Sequence, residues 1–294
     1  MELDCQRPFR NEERPQVHLL TPVRLSAAIV AYRTEADTLH RCLSSLARSV
    51  VAARTAGLAS ALDLFLVDNG PSGELSFDAR ALAAWPADLG IPRVKCGHGN
   101  VGYGQANNLV LPELASDFHL VMNPDVELEE GAVGALLRAF AAHPEVGLVA
   151  PAVFGTNGER QYLCKRYPSL WVLFLRGFAP RFVRDFFRGS LDRYEMRDAI
   201  ADRYVARVPL ASGCFMAMRT DLFRRIGGFD PGYFMYFEDY DLSVRLARES
   251  ELAYEPAARI VHRGGDASAK GGNHILWFVR SAGRFFSRHG WKVV

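Results

Sequence analysis

Short apolar runs of strand length, each stopped by polar residues and separated by segments of helical periodicity, constrain this chain more than any other feature. Leu25 to Tyr32 (LSAAIVAY) is followed by a pattern that opens at Thr34 and Asp37, in which Leu39, Cys42, Leu43, Leu46 and Val50 recur at helical spacing. Leu62 to Val67 then reads as a buried strand that ends at Asp68-Asn69-Gly70, and a weaker strand is expected at Ile91 to Val94. After a Gly- and Asn-rich segment from Gly97 to Asn108 come a strand at Phe118 to Met122, a helix from about Glu130 to His143 and a strand at Val146 to Ala150. This alternation predicts an α/β fold: a Rossmann-like, mostly parallel central sheet flanked by helices.

Between Gln161 and Arg207 the composition shifts to aromatics among many arginines, which reads as a helical insertion. Regular structure is expected again at Val208 to Met218 and in a helix from Asp221 to Ile226, which Gly227-Gly228 stops. Phe229 to Tyr240 leads to a helix near Asp241 to Glu249, then to strands at Leu252 to Tyr254 and Arg259 to His262.

The 294 residues carry 35 Lys+Arg against 33 Asp+Glu, a net charge of +2, without long Lys/Arg runs, which argues against a dedicated nucleic-acid binder. Five cysteines, odd in number and never paired as C-x-x-C, read as the reduced thiols of a cytoplasmic protein. The stretch Met1 to Pro22 is polar and charged, the pattern of a mobile arm rather than of a signal peptide.

In open parallel sheets ligands bind at the carboxyl ends of strands, and three such places carry acids. Asp68 suits a hydrogen bond to a nucleotide base or ribose, or equally a turn before Asn-Gly. Asn123-Pro124-Asp125-Val126-Glu127 puts two acids on one face of an extended segment, fit either for a divalent metal bridged to phosphates or for charge at a helix N-terminus. Glu238, Asp239 and Asp241 lie among aromatics, where repulsion and burial raise a carboxylate's pKa as a general base requires. Asp241 and Arg245 are spaced to pair on a helix, which leaves Asp239 without an evident structural job. His262 ends a strand, as a metal ligand or as a polar strand end.

In order, these segments resemble glycosyltransferase family 2, and within it the rhamnosyltransferase-like branch of bacterial cell-surface polysaccharide (lipopolysaccharide O-antigen) synthesis. The resemblance runs from about Ser26 to Asp266, through Ile29-Val30-Ala31-Tyr32, Leu66-Val67-Asp68-Asn69, Asn100-Val101-Gly102 to Asn107-Asn108, and Asn123-Pro124-Asp125. It continues through Ser212-Gly213-Cys214, Ile226-Gly227-Gly228-Phe229-Asp230, Phe234 to Leu242, and Ile260-Val261-His262.

The resemblance implies a GT-A fold over residues 23–272, with the insertion at about 161–207, a nucleotide-diphosphate sugar donor and inversion at the anomeric carbon. Ala31, Tyr32, Asp68, Gly102, Asn107 and Asn123 would bind the nucleotide sugar, with Asp68 on the base. Asp125 and His262 would hold Mg²⁺ or Mn²⁺, Asp239 would be the catalytic base, and Glu238, Asp241 and Glu127 would support them. The expected donor is dTDP-L-rhamnose and the expected acceptor a saccharide or lipid-linked saccharide. Two positions depart from the family pattern: Asn123 replaces an acid in the metal element, and Arg33 follows the first strand where many relatives have Asn.

Two other readings compete. One is a non-catalytic sugar-nucleotide-binding subunit, against which the presence of both Asp125 and Asp239 argues. The other is a nicotinamide-dependent oxidoreductase, against which the missing glycine fingerprint argues. The tail, Asn273 to Val294, forms an amphipathic helix with Ile275, Phe278, Ala282 and Phe285 on one face and Arg280, Arg284, Arg288 and Lys292 along another. Such a helix packs on the domain, pairs in a homodimer, or lies on the cytoplasmic face of the inner membrane together with the aromatics of the insertion.

Overall fold

The computed structural model describes residues 21–71, 82, 85–264 and 271–294, so residues 1–20 of the expected N-terminal arm lie outside the described residues. The strands are β1 (Val23–Ala31), β2 (Ala59–Asp68), β3 (Arg93–Lys95), β4 (Phe118–Met122), β5 (Val126–Leu128), β6 (Val146–Phe154), β7 (Arg160–Gln161), β8 (Val205–Ala206), β9 (Phe215–Arg219) and β10 (Glu251–His262). The helices are α1 (Ala36–Thr55), α2 (Tyr103–Asn108), α3 (Ala132–Ala142), α4 (Leu170–Gly177), α5 (Arg181–Phe186), α6 (Arg188–Tyr194), α7 (Thr220–Arg225), α8 (Glu238–Leu246) and α9 (Gly271–His289).

One sheet runs in the order β3-β2-β1-β4-β9-β6-β10-β5. Its first four strands are parallel, as is the β6–β10 pair, and β9 is wedged antiparallel between β4 and β6. Alternation along each strand feeds two cores. Leu25, Ala27, Ile29, Leu64, Leu66 and Leu120 meet α1 and α3, while Ala28, Val30, Phe65, Val67 and Val121 point to the side of α2, α7 and α8. Helices on both faces explain why the strands read as continuous apolar runs.

Several boundaries differ from the sequence expectation. Helix α1 starts at Ala36, and its cap position, Glu35, makes no side-chain cap; Thr38 and Leu39 N–H reach the Glu35 carbonyl instead. Ile91 is 91% exposed and precedes β3, because Pro92 has no N–H to donate to a ladder. The two strands expected after α8 are one, β10, with a register shift between Glu255 and Arg259 where Pro256 interrupts the pairing. Helix α8 begins at Glu238, three residues earlier than expected, because Tyr236 (φ 68°) and Phe237 (φ 63°) turn the chain sharply enough to start it there.

The C-terminal helix packs on the domain. Phe285 and Phe286 are fully buried against Leu173, Tyr233 and Phe237, worth about 2–3 kcal/mol per ring. Ser281 donates to the Met235 carbonyl, Arg284 and Arg288 both grip Asp230, and His289 Nε2 lies 2.7 Å from Asp241. Two arginines of the expected basic stripe are therefore committed to intramolecular ion pairs. Among the described residues no helix is long and apolar enough to cross a membrane.

Candidate active site

The carboxyl ends of β1, β2 and β4 converge as the sheet rule requires. Asn69 is the clasp: its N–H donates to the Ala31 carbonyl (2.8 Å), its side-chain amide to Asn100 Oδ1 (3.0 Å), and its Oδ1 accepts the Val101 N–H (3.0 Å). Asn100 Oδ1 also accepts the Gly102 N–H at 3.1 Å. Gly102 has φ 87°, and a Cβ there would fall 2.2 Å from the Phe234 carbonyl oxygen, so only glycine fits. The loop is thus folded onto the end of β2 and braced against the segment that leads into α8.

Of the residues expected to bind the nucleotide sugar, Ala31 is fully buried and contributes only backbone, and Asn107 is fully buried with its amide on the Tyr103 carbonyl (3.0 Å). Asp68 is buried and accepts the Gly70 N–H at 3.0 Å, an Asx turn that fixes the end of β2. Tyr32 stands half exposed with the Arg33 guanidinium 5.5 Å from its ring centre. Arg33 itself has φ 50°. Asn123 donates its backbone N–H to the Cys214 carbonyl (2.9 Å), which ties β4 to the start of β9.

Asp125 and His262, 137 positions apart in the chain, meet with His262 Nε2 3.6 Å from Asp125 Oδ1. Gln161 donates its side-chain N–H to the His262 carbonyl (3.2 Å), which turns its Oε1 to His262 Nδ1 (3.2 Å), so that Nδ1 donates to it. Nε2 then faces the Asp125 carboxylate. A carboxylate oxygen and an imidazole nitrogen opposed in this way fit a divalent cation, and the Gln161 contact is the outer-shell bond that orients such a histidine. Among the described residues no third His, Cys, Asp or Glu joins them. Glu127 does not: it is held between Arg41 (3.2 Å) and Arg263.

Asp239 sits in the first turn of α8, with Oδ2 accepting the Gly213 N–H (2.8 Å) and Oδ1 the Tyr240 N–H (2.9 Å). Burial raises its pKa, and the two N–H bonds restrain that rise. Burial raises Glu238 as well, the Asp239 charge adds to it, and Glu238 Oε2 has no partner among the described residues. The two N–H bonds favour the ionised form at Asp239, whereas Glu238 Oε2 has no such donor and its burial favours the protonated form. Asp241 has a structural job: it is fully buried between Arg245 (2.7 Å) and His289 (2.7 Å).

Gly213 and Tyr103 carried no role in the sequence reading. A side chain at Gly213 would press on Asp239 Cβ at 3.2 Å, and the Tyr103 hydroxyl donates to the Gly213 carbonyl at 2.6 Å, so both hold the base in place. The available signal was a glycine within the apolar stretch Val208 to Met218 and an aromatic directly after Gly102. Cys214, the next residue, lies between the two acidic centres. Burial pushes its thiol up to about 12, against a Ser212 hydrogen bond and with the charges of both Asp125 and Asp239 adding to the rise. One short segment thus borders both the Asp125–His262 pair and Asp239.

Residues 26–227 match the family described as Glycosyl transferase family 2. N-acetylglucosaminyl-diphospho-decaprenol L-rhamnosyltransferase of Mycobacterium tuberculosis (strain ATCC 25618 / H37Rv) is 28% identical over 245 residues, 78% of this chain and 76% of that protein. Rhamnosyltransferase WbbL of Escherichia coli (strain K12) is 25% identical over 201 residues, 65% of this chain and 72% of that one. GalNAc-T7, solved with UDP, GalNAc and Mn²⁺, superposes with a TM-score of 0.56 at 14% identity, over 84% of this chain and 44% of its own. Mannosyltransferase PcManGT from Pyrobaculum calidifontis, solved with GDP-Man and Mn²⁺, superposes with a TM-score of 0.55 at 17% identity, over 94% and 65%. The chain spans less than two thirds of either of these structures, and at such identities the likeness shows the fold alone.

Proposed function

The chain belongs to glycosyltransferase family 2 and has the GT-A fold, and on that premise we propose that it transfers L-rhamnose from dTDP-L-rhamnose, with inversion, to a lipid-linked saccharide in cell-surface polysaccharide synthesis. The names of its rhamnosyltransferase relatives support the sugar, and that of the mycobacterial relative supports an acceptor built on a polyprenyl diphosphate.

One observation carries the mechanism: a buried carboxylate with a raised pKa, Asp239, aimed by two backbone N–H groups and separated by Cys214 from a cation-binding pair. The acceptor hydroxyl oxygen attacks the anomeric carbon as the bond from that carbon to the donor's diphosphate oxygen breaks, and the departing electron pair stays on the nucleotide diphosphate. Asp239 takes the hydroxyl proton during attack. Burial of Glu238 favours its protonated form, which leaves the negative charge of the pair to the base. Asp68 and Tyr32 border the base and ribose, and the Asn69–Asn100–Gly102 clasp sets the loop against them. Asp125 and His262 are the residues to hold Mg²⁺ or Mn²⁺, which when bound would offset the charge of the leaving diphosphate.

Peripheral contact with the inner membrane falls on the insertion rather than on the basic stripe of α9. Phe182 is 74% and Phe186 82% exposed, Phe174 and Phe178 are exposed beside them, and Arg181, Arg184 and Arg188 accompany them. Leu170 and Trp171 N–H bond the Lys292 and Val293 carbonyls, so exposed Trp291 and Val293 adjoin the same helices. Exposed rings among arginines suit an anionic lipid surface.

The deciding experiment incubates the protein and acceptor with a panel of nucleotide sugars (dTDP-rhamnose, UDP-glucose, UDP-galactose, UDP-N-acetylglucosamine) and reads the product's anomeric configuration by NMR. Turnover confined to dTDP-rhamnose with inversion is expected; another sugar, or retention, refutes the assignment.

A further inference from the structure

We propose that the cavity of about 340 Å³ between the first turn of α2 and the middle of α9 seats the acceptor, as a saccharide bearing phosphate. The proposal rests on the transferase reading above and adds to it a site lined by neither Asp239 nor the Asp125–His262 pair.

Phe234 and Trp277 form one wall, with ring centres 4.8 Å apart at 46°, and Gln105 and Arg280 supply polar groups. Trp277 is held from behind: His274 packs edge-on at 4.9 Å, and His274 Nδ1 lies 2.8 Å from the Tyr236 hydroxyl. Arg280 differs from the next two arginines of the stripe. Arg284 and Arg288 are both bound to Asp230, whereas Arg280 lines the cavity and has no acidic partner among the described residues. The cavity wall is also tied to the catalytic loop, because the Phe234 carbonyl accepts the Tyr103 N–H (3.1 Å) and Asp239 follows five residues later.

The volume falls within the range of small-ligand sites. Aromatic faces cover the C–H faces of a pyranose, an amide reads its hydroxyls, and a guanidinium matches phosphate oxygens two at a time. A donor's nucleotide diphosphate would offer Arg280 the same chemistry, so the experiment must separate the two sources.

The full chain is titrated calorimetrically with a short-alkyl N-acetylglucosaminyl diphosphate, with the phosphate-free alkyl N-acetylglucosaminide, and with dTDP. The intact protein should prefer the diphosphate glycoside by about tenfold, the scale of one charged hydrogen-bonded contact. Arg280→Gln should erase that preference, Trp277→Ala should weaken both glycosides by about tenfold, and neither should change dTDP binding. Should Trp277→Ala unfold α9, Trp277→Phe, which keeps a ring, should bind as the intact protein does and Arg280→Gln decides alone. An unchanged preference in Arg280→Gln, weakened dTDP binding with intact glycoside binding, or no glycoside binding by the intact protein would each overturn the proposal. In the last case dTDP binding would still support the transferase reading, so the two fail separately.

Discussion

Replacing Asp239 by Asn tests the centre of the mechanism. The substitution keeps size and shape, and the remaining carbonyl oxygen can accept one of the two N–H bonds from Gly213 and Tyr240. The new amide group opposes the other N–H, at a cost of about 1–3 kcal/mol, offset in part because no charge need be buried. The fold should survive, while loss of the base should lower transfer by about 10²–10⁴, or roughly 3–5 kcal/mol of barrier. Donor binding, measured by calorimetry with dTDP-rhamnose, should remain within a few-fold. Glu238→Gln supplies the contrast: it mimics the protonated state that burial imposes, and should retain most activity. In the intact enzyme kcat/KM should climb with pH as Asp239 ionises, in a step above the ordinary carboxylate range. Stability should run the opposite way. Both pKa values are raised on folding, so the folded protein binds these protons more tightly than the unfolded chain. Stability from this source is full below the ordinary carboxylate range and declines as pH rises through the raised titrations. Wild-type turnover by Asp239→Asn, with Glu238→Gln inactive, would falsify the assignment and make Glu238 the base.

Three further outcomes are expected. Chelation with EDTA should stop transfer and Mg²⁺ or Mn²⁺ should restore it, with Asp125→Asn or His262→Ala raising the Mn²⁺ concentration needed for half-maximal activity; full activity in chelator would remove the metal from the scheme. Gly102→Ala should cost at least about 2 kcal/mol in thermal unfolding and weaken dTDP binding, because a positive φ and the Phe234 carbonyl both oppose a side chain; a neutral result would mean that the loop is not braced as described. The protein should co-sediment with anionic liposomes at low salt and release as salt rises, and Phe182→Ser with Phe186→Ser should abolish sedimentation, whereas Arg280→Gln on α9 should have little effect; the reverse pattern would return the contact to the C-terminal helix.

The sheet was legible because parallel strands covered on both faces leave unbroken apolar runs, and β1, β2 and β4 fall close to where those runs lie. The orientation of β9 was not, since Phe215 to Arg219 carries no mark of direction and its place between β4 and β6 is set by pairing partners far along the chain. The start of α8 was missed because left-handed conformations at Tyr236 and Phe237 have no sequence signature. Candidate acids stand out in sequence because buried carboxylates are costly, and the structure separates them by their partners: Glu127 and Asp241 are spent on arginines, while Asp125 and Asp239 are not. The groups that position them, Gly213, Tyr103 and Gln161, act through backbone placement and a single amide contact, for which a lone sequence offers no pattern.

The wedge of β9 has a consequence for how the chain reaches this structure. Strand β4 pairs with β1 on one side as soon as both exist, but its other edge is completed only by Phe215–Arg219, roughly a hundred residues downstream. While the ribosome delivers the intervening helices, β4 presents an unsatisfied row of N–H and C=O groups on an apolar strand, the kind of edge that recruits other chains. A fragment ending before residue 215 would therefore be aggregation-prone even though it contains the whole first half of the sheet, and slow synthesis across the aromatic helices would lower the yield of native protein.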